Sequence, residues 1–143
     1  FDGGKVKVFA GNIAGLEGSM NSLVPITMSE LSLEEGTSYK HLIPETHNAF
    51  LYVLSGEMVI GENEKTLRKS DVATLSFVEN GDKNKDSEIS ITAKSRRCKI
   101  LVYSGEPIRE NVVAYGPFVM NSMEEIQQAY RDYHDGKFGP EAK

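Results

Sequence analysis

The chain has one cysteine, Cys98, and three histidines among its 143 residues. A single thiol cannot close an intrachain disulfide, which fits a reducing, intracellular compartment. Cys98 stands beside the apolar run "ILVY" with no base nearby. It therefore reads as a small buried group rather than a nucleophile. Long apolar runs are missing too; none approaches the ~20 residues that a membrane-spanning helix needs. Positive charge is in the minority, 16 Lys and Arg against 21 Asp and Glu, for a net charge of −5. That balance excludes a broad nucleic-acid footprint, which requires clustered cations. The one basic group, "KSRRCK" with Lys94, Arg96, Arg97 and Lys99, reads as the solvated end of a strand; a partner-docking patch is the lesser reading. There is no phosphate-cradling glycine loop, no nucleophile motif and no carboxylate pair with a claim to acid–base work. Glu34, Glu35 and Glu45 read as solvated loop charges. The first residue is Phe1 and no signal-like stretch follows it, as expected of a piece of a longer protein.

What is present is punctuation by Gly and Pro, with β-branched and aromatic residues between. Residues 5–9 alternate polar and apolar, the period of a strand with one wet face. Residues 25–33, 70–75, 88–93 and 98–105 read as further strands. Residues 49–54, "AFLYVL", are apolar in both phases, which predicts a strand running through the middle of a sheet or sandwich. Alternation alone leaves open which set faces inward, Phe50/Tyr52/Leu54 or Ala49/Leu51/Val53. Ser55-Gly56 predicts a tight turn and a hairpin into "EMVIG", and residues 63–65 turn the chain again. About eight short strands at this spacing predict an all-β sandwich or barrel. Residues 79–88 form a charged loop. Asp82, Asn84 and Asp86 hint at a calcium loop, but Ser87 stands where the sharp turn needs Gly and Ala93 where the bidentate Glu belongs. A solvated loop is the reading.

The period changes near the end. Ser122 with Glu125 makes a capping box. Met123, Ile126, Tyr130 and Tyr133 recur at helical spacing on one face, and Gly136 is a natural stop. An amphipathic helix over about 122–135 follows. Its aromatic face docks on its own sheet or contacts another domain.

The stretch "HNAFLYVLSGEMVIGENEKTLRKSDVATLSF", followed by "GPFVMNSMEEIQQAYRDYHDGKFG", resembles the C-terminal half of the pirin family. The likeness runs from about residue 5 to 139, and "YGPFVMN" with its helix is its most specific part. Pirins are cupins, so the resemblance implies a double-stranded β-helix, or jelly-roll barrel, with strands over about 5–118 and the C-terminal helix. It also implies a two-domain protein. The N-terminal barrel would hold one iron through three histidines and a glutamate upstream of Phe1.

The resemblance also locates where this barrel would hold a metal of its own. Counting back from Gly56 of "YVLSGE", the two histidine positions of the first cupin motif fall on Leu42 and Pro44, and the carboxylate position on Asn48. In the second motif "RKSDVA" puts Ser70 for the glycine and Ala73 for the histidine. Leu, Pro and Ala donate nothing, so no metal or other cofactor is expected in this chain. The histidines present, His41 and His47, are six residues apart. On one regular strand they would share a face about 20 Å apart. Pro44 breaks that strand, so a loop could still bring them together. A third donor would be lacking, since His134 sits in the helix tail. We read His47 as satisfying a loop hydrogen bond and His41 as exposed.

These readings predict a metal-free support and protein-interaction module, with Met123, Ile126, Tyr130 and Tyr133 as its interaction face. Its partners would be the N-terminal cupin domain of the same protein and, by resemblance, transcription factors, in the nucleus or cytoplasm; nucleic acid and membrane are not among them. A second reading makes it part of an iron-dependent quercetin dioxygenase whose metal lies in the other barrel. A third is a small-ligand pocket in the barrel, with His41, His47 and Tyr52 as its polar residues; the competing expectation is a filled core.

Overall fold

The computed structural model describes residues 1–75, 80–82 and 84–139. It divides into two compact units, Phe1–Pro107 and Ile108–Lys143. The first holds eleven strands: β1 Gly4–Ala10, β2 Asn12–Ile13, β3 Leu16–Glu17, β4 Ile26–Leu33, β5 Ser38–Pro44, β6 Asn48–Ser55, β7 Glu57–Ile60, β8 Lys65–Arg68, β9 Val72–Thr74, β10 Asp86–Ala93 and β11 Cys98–Gly105. The second holds β12 Val113–Tyr115, β13 Phe118–Met120 and the helix α1 Met123–His134.

Two sheets carry the first unit. One has the order β1-β4-β11-β6-β9, the other β5-β10-β7-β8, and the two are not joined into a closed barrel. This is the jelly-roll arrangement expected, all-β with one C-terminal helix. Each long strand alternates, and the buried phase of each turns toward the other sheet. Ala49, Leu51 and Val53 of β6, Ile100 and Val102 of β11, Leu31 and Leu33 of β4, Ile89 and Ile91 of β10, and Met58 and Ile60 of β7 form one buried cluster. The structure thus chooses the Ala49/Leu51/Val53 set as the inward one.

Two local expectations change and a third holds. Ser55-Gly56 does not make a hairpin, because β6 pairs with β11 and β9 whereas β7 pairs with β10 and β8. The turn instead carries the chain from one sheet to the other. Gly56 has φ +83° there, and a Cβ would come within 2.6 Å of Cys98 Sγ, so both backbone and space require glycine. Pro44, expected to break a strand carrying His41 and His47, ends one: β5 runs up to it, and proline is tolerated there as the last residue of an edge strand. The turn at 63–65 does join a hairpin, β7 to β8, in register Glu57↔Arg68 to Ile60↔Lys65.

Of the charged loop, Glu79 and Lys83 lie outside the described residues. Asp82 Oδ1 accepts from the Asn84 N–H at 2.9 Å, a local turn contact. In the second unit the capping box forms. Ser122 Oγ accepts from the Glu125 N–H at 3.2 Å, and Glu125 Oε2 accepts from the Ser122 N–H at 3.0 Å. The helix ends at Asp135, and the Gly136 N–H donates to the Tyr133 carbonyl.

Candidate functional site

The inward face of β5 is His41 and Ile43, while Leu42 points out and is 52% exposed. Asn48 is also exposed, Pro44 is half-buried, and Ala73 is buried in the core. The four counted ligand positions are therefore not brought to one cavity. A count that is one residue out along a strand moves every side chain to the opposite face. On β5 the interior is lined by the residues between the counted ones. The strands facing it present Ala49, Ile89, Ile91 and Ala73, which carry no donor atoms.

His41 is not exposed, as the sequence had suggested; it is only 2% accessible. The strand period places it in the core phase, opposite Ile89 of β10. Its ring centroid lies 5.9 Å from that of Tyr39, and its Nδ1 has no hydrogen-bond partner among the described residues. Burial pushes its pKa below the usual histidine value, so the ring is held neutral. Ser29 Oγ, on β4, is a second buried polar atom without a partner there.

His47 sits in the link between β5 and β6. Its N–H donates to the Pro44 carbonyl at 2.9 Å, and its Nδ1 lies 3.2 Å from Ser104 Oγ on β11. Burial lowers its pKa; the carboxylates of Glu106 and Asp86 act in the opposite direction and win back only part. It lines a cavity of about 350 Å³ at one end of the core, with Ile43, Ala49, Leu75, Ile89 and Glu45. The described residues contain no group of three His, Cys, Asp or Glu side chains able to hold an ion. An iron of the kind the family resemblance implies needs about three converging N or O donors. The interior does not fit one.

Tyr52 is not a pocket residue. It lies half-buried on the outer face of β6, flanked across the sheet by Leu101 and Val72. Cys98 is buried as expected, its Sγ–H donating to the Glu57 carbonyl at 3.0 Å or to the Ser95 carbonyl at 3.1 Å. The basic group lies at the turn between β10 and β11. Lys99 pairs with Glu30 at 3.4 Å, and Arg96 and Arg97 line a surface hollow with Glu34 and Glu35, which balance their charge.

In the second unit α1 packs on the β12–β13 hairpin. The rings of Phe118 and Tyr130 meet edge-to-face with centroids 5.0 Å apart, and Phe118 stacks on Phe138 at 5.9 Å. Gly116 stands at the turn with φ +59°, where a Cβ would strike the Tyr130 hydroxyl. Ile126 and Ala129 are buried, and Tyr130 is half-buried. Met123 and Tyr133, expected on the same face, are 45% and 60% exposed. At 100° per residue Tyr133 falls within about 20° of Ile126, so angle does not account for its exposure; Met123 and Tyr133 lie in the first and last turns of α1.

Sequence reasoning missed the outer face of the five-stranded sheet. One row across it reads Lys7, Glu30, Leu101, Tyr52, Val72; the next reads Met28, Tyr103, Phe50, Thr74. Phe50 and Tyr103 stack with centroids 4.7 Å apart and planes 12° apart. The signal was in the sequence, since "AFLYVL" is apolar in both phases, but only a fold could show that one phase is left uncovered.

Residues 28–139 match the family model for the pirin C-terminal cupin domain. A pirin-like protein of Solanum lycopersicum is 36% identical over 139 residues, covering 96% of this chain and 45% of the relative. Pirin of Mus musculus is 32% identical over 142 residues, covering 96% of this chain and 46% of its own length. The solved structure of a quercetin 2,3-dioxygenase from Acinetobacter baumannii superposes with a TM-score of 0.79 at 31% identity, covering 96% of this chain and 45% of that one. The chain thus spans about half the length of the curated relatives it matches. With the family model covering most of its length and relatives above 30% identity along nearly all of it, the chain belongs to the pirin family and matches its C-terminal cupin domain.

Proposed function

We propose that this domain is a support and protein-interaction module that holds no metal of its own. The observation that carries the reading is the interior. Where β5, β6, β9 and β10 face one another, the inward side chains are His41 and hydrocarbon. Oxygen or hydrolytic chemistry at an ion has nothing to anchor it in such a space. The chemistry of a protein of the relatives' length would then sit in a separate N-terminal cupin domain, with iron as the family resemblance implies. That domain would be this one's first partner. A role in the nucleus as a transcription co-regulator, with transcription factors as further partners, is the corresponding reading for the longer protein.

The likeness to a quercetin 2,3-dioxygenase supports a second reading for that longer protein, oxidation of a flavonol-like aromatic at the metal of the other barrel. Two measurements test both. Protein stripped of metal is loaded with Fe(II) or Zn(II), desalted and assayed by elemental analysis, and quercetin turnover is followed in the same samples. The expected result is no stoichiometric retention and no turnover by the 143-residue chain. Retention of one ion per chain that disappears in His41→Ala or His47→Ala would overturn the metal-free reading.

A further inference from the structure

Packed interiors leave few voids larger than a water molecule, yet a cavity of about 350 Å³ opens at one end of this core. It exists because small residues face it. Ala49, Gly61 and Ser87 stand where larger ones would close it, and Ile43, Leu75 and Ile89 supply apolar wall. Its volume falls at the lower end of the range for small-molecule pockets. Of the polar residues expected around a pocket, His41 is sealed in the core and Tyr52 lies on the outer face of β6, so His47 alone lines this one. His47 is held at two points, its N–H on the Pro44 carbonyl and its Nδ1 beside Ser104 Oγ. The ring's Nε2 has no partner among the described residues, which leaves it for a ligand. The charge around it has one sign. Glu45 and Glu88 line the cavity, and the carboxylates of Asp86 and Glu106 act on the ring. No Lys or Arg stands among the described lining residues. Glu88 pairs with Lys40 at 2.7 Å. Glu45 has no cation beside it among the described residues; its Oε2 accepts from the Asp82 N–H at 3.1 Å.

We propose that this cavity binds a small apolar molecule that carries a protonated amine. The hydrocarbon body rests on Ile43, Leu75 and Ile89. The ammonium group donates to the Glu45 carboxylate and to His47 Nε2. That arrangement uses the tautomer in which Nδ1–H donates to Ser104 Oγ and Nε2 keeps its lone pair. Burial disfavours the imidazolium form, so the lone pair stays available. A charge-assisted bond in a partly apolar site is stronger than the same bond in water. A carboxylate or phosphate would instead meet like charge from Glu45, Glu88, Asp86 and Glu106, which rejects it. A metal ion is the poorer match, because one imidazole and one carboxylate fall short of the three donors it needs. The inference is independent of the support-module reading, since the cavity can be filled whether or not the domain has a protein partner.

Amide NMR on the 143-residue chain tests it with probes of one shape: cyclohexylamine, which is protonated at neutral pH, cyclohexanol and cyclohexanecarboxylate. Cyclohexylamine should shift the signals of Ile43, His47, Ala49 and Ile89 saturably, with a Kd on the order of 1 mM, as expected of so few ligand atoms. Cyclohexanol should bind at the same residues about tenfold more weakly, the loss of one charge-assisted hydrogen bond. The carboxylate should cause no shift there. Glu45→Gln should weaken the amine about tenfold and leave cyclohexanol unchanged. The glutamine carbonyl can still accept from the Asp82 N–H, so the loop keeps its anchor. Ser87→Phe should fill the cavity and abolish binding of amine and alcohol alike; if it fails to fold, the probe series and Glu45→Gln decide alone. Equal affinity for amine and carboxylate would overturn the choice of ligand, as would an amine affinity unchanged in Glu45→Gln. No saturable shift with any probe would overturn the site, and so would shifts confined to Phe50 and Tyr103 on the outer face.

Discussion

Val53 and Ser70 are tied back to back: the Ser70 N–H donates to the Val53 carbonyl at 2.9 Å, and the Val53 N–H donates in turn to the carbonyl of Asp71, the next residue, at 3.0 Å. This pair of bonds fixes the turn before β9 against the core strand β6, and it forces Ser70 to φ +73°. The cupin resemblance implies a glycine at this position.

Ser70→Gly should therefore stabilise the domain. The left-handed backbone costs an L-residue roughly 1–2 kcal/mol, and the greater chain entropy of glycine gives back roughly 0.5–1 kcal/mol of that. The expected net gain is about 0.5–1 kcal/mol, read as a rise of a few degrees in melting temperature. Ser70 is exposed and its side chain fills no space in the core. An unchanged or lowered melting temperature would show that its hydroxyl does more than occupy the turn.

The opposite substitution separates strain from crowding. Gly36 and Gly56 have nearly the same φ, +82° and +83°. A Cβ at Gly36 would meet nothing within 4 Å, whereas at Gly56 it would meet Cys98 Sγ at 2.6 Å and Cys98 Cα at 3.0 Å. Gly36→Ala should cost about 1 kcal/mol, the backbone penalty alone. Gly56→Ala should cost about 1–3 kcal/mol more, because β11 must move to admit the methyl group. Chemical denaturation of the two variants measures the difference, and equal losses would refute the crowding at Cys98.

Buried, neutral His41 makes stability depend on pH. Its folded pKa is depressed by burial, and that of His47 is depressed in the same way. Below the unfolded value of about 6.5 the unfolded chain binds more protons than the folded one, so stability rises with pH. The contribution is complete above about pH 6.5 and is lost as pH falls toward the folded values, with a limiting slope of about 1.4 kcal/mol per pH unit for each proton. Urea titrations at pH 5.5 and 7.5 should show the wild-type chain weaker at the lower pH. His41→Leu should flatten that dependence. At pH 7.5 it should sit within about 1 kcal/mol of wild type, since it removes a buried polar atom that has no partner. A pH dependence unchanged in His41→Leu would assign the titration elsewhere.

Much of the fold was legible because alternation is a local property. Residues 98–105 form a strand with those bounds, 25–33 differs from β4 by one residue, and the capping box at Ser122 and Glu125 starts the helix where expected. Local signals failed where the partner strand decides. Ser55-Gly56 has the composition of a hairpin turn, yet its flanking strands pair elsewhere, β6 with β11 and β9 and β7 with β10 and β8. The candidate site was less legible. Counting from a motif settles which residues are near a position, and on a strand a shift of one settles whether they face the core or the solvent. His41 and Leu42 exchanged places for that reason.

By itself the sequence determined the all-β architecture, the capped helix after it and the family, because period, turn chemistry and motif are written in neighbouring residues. It also determined that donor atoms are scarce, since three histidines and one cysteine limit any soft-metal site whatever the fold. Tertiary structure alone decided that His41 is sealed in the core and that Phe50 and Tyr103 stack on an uncovered sheet face. Those outcomes depend on which strands become neighbours, and that is set by the combined burial of residues far apart in the chain, which no short window of sequence contains.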